Sequence, residues 1–449
     1  MRIFNACVKI LAIVLVFALG NTVLNYVLVP YGSKSEIMWT DYYAQDDIDT
    51  IFVGTSITER TIDPSIIDKK WDCTSYNMAT PLQQLPESLN AIETAYRDHG
   101  ITRVVLGIDF DLLDEDAMLS PSNAFLSMKF PHESISEQVA DVTEALSYAS
   151  YWESRDSLNM LCPWIYNHVD PNPSAVIQNV KMRLNGTTLY DAAEANEPGW
   201  TYRGKGYGTY SKTPKSLKTT QALYVDKIGR AEFSDEKFAC LQDICDFCNQ
   251  NGIELIAVNL PQTTASVLDY GAEFVEQSSE LKAFFASQDI AFYEFNLAKS
   301  SLFVAKDEYF SDWQHMNRDG STAFTKAFAN LINKVDAGRD VSDQFCETFD
   351  EYCAEIDRIA GVRVEANVTQ DVGIELQATA LAGSGIEVAY RFSVYDTEKE
   401  KWVTLQKYGS SNSCVFEPEE RGNYKVRCEV REAGSKGACV KNKTLTVYY

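Results

Sequence analysis

The chain is poor in histidine and in positive charge. It has four histidines among 449 residues, and 40 Lys and Arg against 64 Asp and Glu, for a net charge of −24. Phosphate recognition needs a basic face, so this balance argues against nucleic acid as a partner. An apolar share of 45% beside 23% charged residues excludes a polytopic membrane protein. The extremes of disordered or collagen-like chains are missing too: 45% apolar and 23% charged residues are the proportions of a globular protein. No pair of CxxC motifs offers a zinc site. Cys245-x-x-Cys248 stands alone in an apparent helix over residues 238–250, where small apolar side chains packing a core face are the simplest reading. Gly204-Lys205-Gly206-Tyr207-Gly208 lacks the strand-to-helix setting of a phosphate loop and reads as a flexible loop. No repeat or low-complexity tract is present.

One long apolar run does exist. Residues 10–30 carry no Asp, Glu, Lys or Arg, enough to cross a hydrocarbon core with about 20 residues. Asn21 and Asn25 weaken the span. Arg2 and Lys9 precede it and acidic residues dominate from Glu36 onward, so the N-terminus is expected in the cytoplasm and the bulk of the chain outside. The competing reading is a cleaved signal peptide, but the run is long for one and Ala18-Leu19-Gly20 is a poor cleavage match. Cys346, Cys353, Cys414, Cys428 and Cys439 lie in the C-terminal part, where pairing is open.

Beyond residues 1–33 (cytoplasmic tip and anchor), residues 34–47 read as a stalk. Five short apolar runs follow, at 51–53, 74–78, 104–108, 253–258 and 290–295. Helical spacings separate several of them, such as Leu89, Ile92 and Tyr96 before Gly100. Strands alternating with helices predict an α/β domain over 48–338: a three-layer α/β/α sandwich on a parallel five-stranded sheet. Residues 115–230 break the rhythm and read as an insertion over the sheet's carboxyl edge, where ligand sites lie. After a linker at 339–361, residues 362–449 alternate with period two, as in Ile374, Leu376, Ala378 and Ala380. That pattern predicts an immunoglobulin-like β-sandwich; Gly422-Asn423-Tyr424-x-Val426-x-Cys428 resembles a tyrosine-corner strand.

Of the histidines, His99 reads as a helix-end residue, and His132 and His168 fall in the insertion. His315 sits in Asp312-Trp313-Gln314-His315, just before a helix. Gly54-Thr55-Ser56 closes the first strand. A serine on a tight glycine turn projects its hydroxyl over a sheet edge, and a following helix favours developing negative charge there. Serine needs a base, and the base a carboxylate to fix its tautomer. Ser56, His315 and Asp312 are those three types.

In these two motifs, in their order and in their α/β setting, the sequence resembles the SGNH (GDSL-type) hydrolases. Gly54 to Pro64 looks most like the branch of membrane-anchored proteins acting on cell-surface polymers, which includes alginate acetylation proteins and the D-alanyl transfer protein of teichoic acid synthesis. The resemblance implies Ser56 as nucleophile, His315 as base and Asp312 as its orienting carboxylate. Tyr76-Asn77-Met78-Ala79 falls at the second motif, with Ala79 in place of the usual glycine, so the oxyanion candidates are the backbone of Ser56 and Ala79, with Asn77. The third motif's usual Asn is missing from Gly107-Ile108-Asp109-Phe110-Asp111. Asp109 is a substrate-binding candidate, with Trp313 and Tyr207 as aromatic platforms for sugar rings. No third ligand accompanies Asp109 and Asp111, and neither metal nor cofactor is expected.

The expected function is serine-dependent acyl transfer, O-acetylation of a cell-surface polysaccharide, at the outer face of the cell membrane. A membrane-bound O-acyltransferase is the partner the resemblance implies. The alternatives are a surface carbohydrate esterase using the same triad, a catalytically inactive polysaccharide-binding or assembly protein, and a purely structural surface protein.

Overall fold

The computed structural model describes residues 2–114, 125–148, 160–211, 231–369 and 373–449. They form two compact units, residues 2–211 with 231–257, and residues 258–449.

The apolar runs become strands β1 (Thr50–Val53), β2 (Ser75–Asn77) and β3 (Arg103–Ile108). Strand β1 pairs in parallel with both neighbours, so that Phe52 stands opposite Asn77 on one side and Val105 on the other. Every residue of β1 is buried, as expected when helices cover both faces of a parallel sheet. A hairpin of β4 (Trp200–Gly204) and β5 (Tyr207–Tyr210) stands apart. With β6 (Glu254–Asn259) and β7 (Ala291–Glu294) the main sheet has the order β2-β1-β3-β6-β7. The chain winds one way from β1 to β2 and the other way from β3 onward. The crevice beyond the carboxyl ends of β1 and β3 is therefore the switch point, where α/β sheets bind ligands. The helix Leu85–His99 ends on Gly100 in the left-handed region, as its spacing predicts. Cys245 and Cys248 are buried in the helix Asp235–Asn251, and burial pushes both thiols up to about 12.

The expected stalk is not one. Lys34–Tyr42 is a helix that buries Ile37, Met38, Trp39 and Tyr42; Trp39 packs edge-on to Phe125 and donates its indole N–H to the Phe125 carbonyl. Burying two such rings offsets the ordering entropy that would otherwise leave the segment loose. The glycine-rich stretch is not a flexible loop either. It is the β4–β5 turn, and Asn77 N–H donates to the Lys205 carbonyl. A Cβ on Gly206 would come 1.7 Å from the Asn77 carbonyl oxygen, so only glycine fits. The insertion holds the helices Phe125–Lys129, Ile135–Ala145, Pro173–Leu184 and Leu189–Asn196.

In the second unit the helices Ala272–Ser287 and Arg318–Asp336 lead to the segment expected as a linker. That segment is folded, with a helix at Phe349–Glu355 and Phe345 bridged to Ala298. The C-terminal strands are β8 (Ile359–Thr369), β9 (Gly373–Ala382), β10 (Val388–Asp396), β11 (Lys401–Gly409), β12 (Ser413–Phe416), β13 (Asn423–Glu432) and β14 (Lys441–Tyr448). They form antiparallel sheets β12-β9-β8 and β11-β10-β13-β14 around a core that includes Ile374, Leu376, Phe392, Val426 and Cys428. The β-sandwich follows from the period-two alternation, since one face of each sheet turns inward. Tyr424 donates its hydroxyl to the Glu420 carbonyl four residues upstream at 2.6 Å, the bond that defines a tyrosine corner. Arg363 pairs with Asp269 at 3.2 Å, tying the sandwich to the preceding helices. All eleven cysteines are unpaired.

Candidate active site

The serine stands at the switch point for reasons local to its turn. Gly54 has φ +140°, and a Cβ there would meet Thr58 Oγ1 at 2.5 Å and the Gly107 carbonyl oxygen at 2.6 Å. Only glycine allows the chain to turn this close to β3. Thr55 then N-caps the short helix Ser56–Thr61, which makes Ser56 its first residue. Asp109, at the end of β3, accepts from the Thr55 hydroxyl at 3.1 Å and from Leu112 N–H at 2.9 Å. This carboxylate bridges the two strands at the switch point and holds the residue before Ser56. Burial, then the neighbouring Asp111, pushes Asp109 up to about 6. Each of its oxygens accepts a bond from the protein, which makes it a positioning group for the turn.

The second motif also departs from expectation. Asn77 donates its amide to the Thr58 and Ile62 carbonyls, both at 3.1 Å, and its Oδ1 accepts from Ala79 N–H at 3.0 Å. Ala79 and Asn77 are fully buried. In this arrangement neither offers a donor to an oxyanion, because the turn uses Asn77 to tie the helix after Ser56 to β2. Of the three oxyanion candidates, Ser56 alone lies at the first turn of a helix. Tyr207 is buried on β5, which fits a core residue better than a sugar platform.

A pocket of about 390 Å³ opens beside Ser56, with Lys34, Arg60, Pro81, Asn167 and Glu197 among its lining. Its wall is a charge network. Lys34 pairs with Glu197 at 2.8 Å and Arg60 with the same carboxylate at 3.3 Å. Glu59 lies buried behind them and accepts from the Trp200 indole at 3.2 Å. Burial raises the Glu59 carboxyl above its ordinary range against the pull of Lys34 and Arg60. Pro81 leads into Leu82, a non-glycine residue at φ +63° that is 49% exposed.

In the second unit His315 and Asp312 form a tight pair. His315 Nδ1–H donates to Asp312 at 2.8 Å to Oδ2 and 3.0 Å to Oδ1. Asp312 Oδ1 also accepts the backbone N–H groups of His315 and Gln314, at 2.8 and 3.1 Å. Burial raises the Asp312 carboxyl, but the bonds from His315 and Gln314 outweigh it and hold it below the usual range. An ionised carboxylate on Nδ1 fixes the imidazole proton there and leaves the lone pair on Nε2, the form that can act as a base. The loop is stiff. Asn317 caps the helix Arg318–Asp336 by accepting from Asp319 and Gly320 N–H, and its amide reaches the Glu308 carbonyl. Trp313 is half-buried and its carbonyl accepts from Thr263 N–H.

Of the remaining histidines, His99 packs edge-on to Tyr42 and His132 stacks on Tyr43. His168 is exposed. The motif readings missed Lys34, Arg60, Glu197 and Leu82; the one signal available for Glu59 and Arg60 was their place one helical turn beyond Ser56.

No family model matches the chain, and no curated protein does. Among solved structures the chain is similar to a candidate acylhydrolase from Bacteroides fragilis, with 10% identity over 66% of this chain and 94% of that one, at a TM-score of 0.31. It is also similar to a GDSL-like lipase from Bacteroides thetaiotaomicron, with 11% identity over 67% and 98% of the two chains, at a TM-score of 0.31. At that similarity neither match bears on the chemistry.

Proposed function

We propose that this chain is a serine-dependent acyl-transfer enzyme anchored at the outer face of the cell membrane, acting on a cell-surface polysaccharide. Ser56 attacks the carbonyl of an acyl ester and His315 Nε2 takes the hydroxyl proton. The proton then passes to the leaving alcohol, which departs and leaves an acyl-serine. A sugar hydroxyl gives its proton to His315 and attacks that acyl-serine; the bond from the acyl carbon to Ser56 Oγ breaks, and His315 returns the proton to Ser56. Asp312 holds His315 in the required tautomer throughout. The observation that carries this reading is the Asp312–His315 pair, in which one ionised carboxylate meets Nδ1 and two backbone N–H groups.

The N-terminal helix Arg2–Leu28 supports retention of the anchor. Its stretch Phe4–Leu28 is apolar enough to span a membrane. Trp164 donates its indole N–H to Asn21 at 2.8 Å, and Asn179 donates to the Val27 and Val29 carbonyls at 3.0 and 2.9 Å. A domain built around residues 21–29 is not expected to shed them as a signal peptide. A multipass membrane-bound O-acyltransferase would supply the acyl group that an extracellular enzyme otherwise lacks.

Two measurements test the proposal. Surface polymer from cells carrying Ser56→Ala should lose its ester groups; unchanged ester content refutes it. Acyl release without a sugar acceptor assigns hydrolysis in place of transfer. One observation favours a catalytically silent polymer-binding protein, namely the inward commitment of the Ala79 and Asn77 donors. That reading predicts polymer binding that Ser56→Ala leaves intact.

A further inference from the structure

The helix Pro173–Leu184 carries two large, exposed apolar side chains on an otherwise polar outer face. Asn179 is buried and bonded to the end of the N-terminal helix, and Arg183 reaches the Val29 carbonyl at 2.9 Å while lying over the rings of Tyr26 and Tyr31. On the opposite side Ile177 and Leu184, seven residues apart, are 52% and 71% exposed. Lys181 lies between them, also exposed. A surface helix normally buries its apolar stripe and exposes its polar one. This helix half-buries Ala175, Val176, Val180 and Met182 in that way, yet leaves Ile177 and Leu184 in the open with a lysine between them; an interfacial helix has that outer face, with apolar side chains in the acyl boundary and a lysine reaching back to the headgroups.

The segment just before it makes a second, independent observation. Asn21 donates to the Leu161 carbonyl at 2.9 Å and accepts from the Trp164 indole, while Asn25 Oδ1 accepts from Trp164 N–H. Residues 160–166 therefore run alongside residues 21–25 of the N-terminal helix. If the hydrocarbon begins after Lys9, about 20 residues at 1.5 Å each carry it to about residue 29. Asn21 then lies roughly 10 Å inside the outer boundary. Leu161, 47% exposed, would lie at that depth, and the two asparagines would find in residues 160–166 the partners that lipid cannot provide.

We propose that residues 160–166 and the helix Pro173–Leu184 form a foot that sinks into the outer leaflet around the exit of the anchor. The proposal rests on the reading of the N-terminal helix as a membrane span. Asn167 follows the foot directly and lines the Ser56 pocket together with Pro30, Gly32 and Ser33 from the anchor's exit. The foot thus sets the nucleophile's pocket at headgroup level, where a membrane-borne acyl donor would arrive.

The test uses the full chain with Cys7→Ser, reconstituted in phosphatidylcholine and phosphatidylglycerol nanodiscs. Single bimane-labelled cysteines are placed by Leu161→Cys, Leu184→Cys and Val16→Cys, and signal from the parent chain is subtracted. Labels at 161 and 184 should lose about half their emission with brominated lipid and resist aqueous iodide, as expected of interfacial side chains. Quenching by iodide and not by bromolipid at 161 and 184, with the label at 16 quenched by bromolipid, overturns the foot and leaves the span. Protection from both quenchers means that protein covers the face and also overturns it. A label at 16 that bromolipid does not reach overturns the span and the foot together. None of these readouts depends on catalysis, so acyl transfer stands or falls separately.

Discussion

Asp312→Asn separates the proposed role of this residue from its role in the loop. The carboxylate accepts His315 Nδ1–H, and through Oδ1 it also accepts the backbone N–H groups of His315 and Gln314. Asparagine can keep its oxygen on the backbone donors, so the loop should survive. Its amide then faces His315 Nδ1 as a donor. The ring must answer with a lone pair on Nδ1, which moves its proton to Nε2, and a protonated Nε2 cannot take a proton from a hydroxyl. The expected loss is about 10³–10⁴ in kcat, or roughly 4–5.5 kcal/mol at the transition state, with KM little changed. Asp312→Ala should lose as much activity and in addition lower Tm by a few degrees, since two backbone donors go unmet. The assay is turnover of a chromogenic acetate ester by the folded protein, with thermal melts in parallel. Near wild-type turnover in Asp312→Asn would refute the reasoning, as would a loss explained wholly by unfolding.

Three further outcomes follow. Burial outweighs the bonds from Asn296 and Asn259 and pushes Glu294 up to about 7 from an ordinary 4.5, so the folded state holds a proton that the unfolded state has released. Its contribution is full below pH 4.5 and lost as pH rises to 7, about 3 kcal/mol in all; denaturant melts of Glu294→Gln should lack this slope and show higher stability above pH 7. Lys129 is fully buried and pairs with Glu133 at 2.9 Å and Asp141 at 2.7 Å, so Lys129→Met should cost about 3–5 kcal/mol by stranding two carboxylates, and Asp141→Asn added to it should recover part. Gly54→Ala should cost at least about 2 kcal/mol through strain and overlap and lower turnover further by displacing Ser56; melts and the ester assay check both.

The sheet was legible because buried parallel strands are short apolar runs, and 51–53 ends in a glycine whose φ of +140° nothing else accepts. The sandwich was legible from strict alternation, and Tyr424 from its spacing within β13. What escaped notice was long-range or too short to show a period. Lys34 and Arg60 meet on Glu197, the latter 137 residues from its partner, and no local pattern announces such a pair. The helix Lys34–Tyr42 has nine residues, so its buried Trp39 looked like part of a stalk. Asp109 offered a carboxylate where the resemblance calls for a donor, and only its bonds to Thr55 and Leu112 show it positioning the turn.

The most direct measurement is mass spectrometry of the folded, membrane-reconstituted protein after treatment with a fluorophosphonate or an activated acetate ester. The account predicts a covalent adduct on the peptide that carries Ser56, formed in the parent chain and absent from His315→Ala. An unmodified Ser56 in folded parent protein, or an adduct that forms equally well without His315, would contradict it.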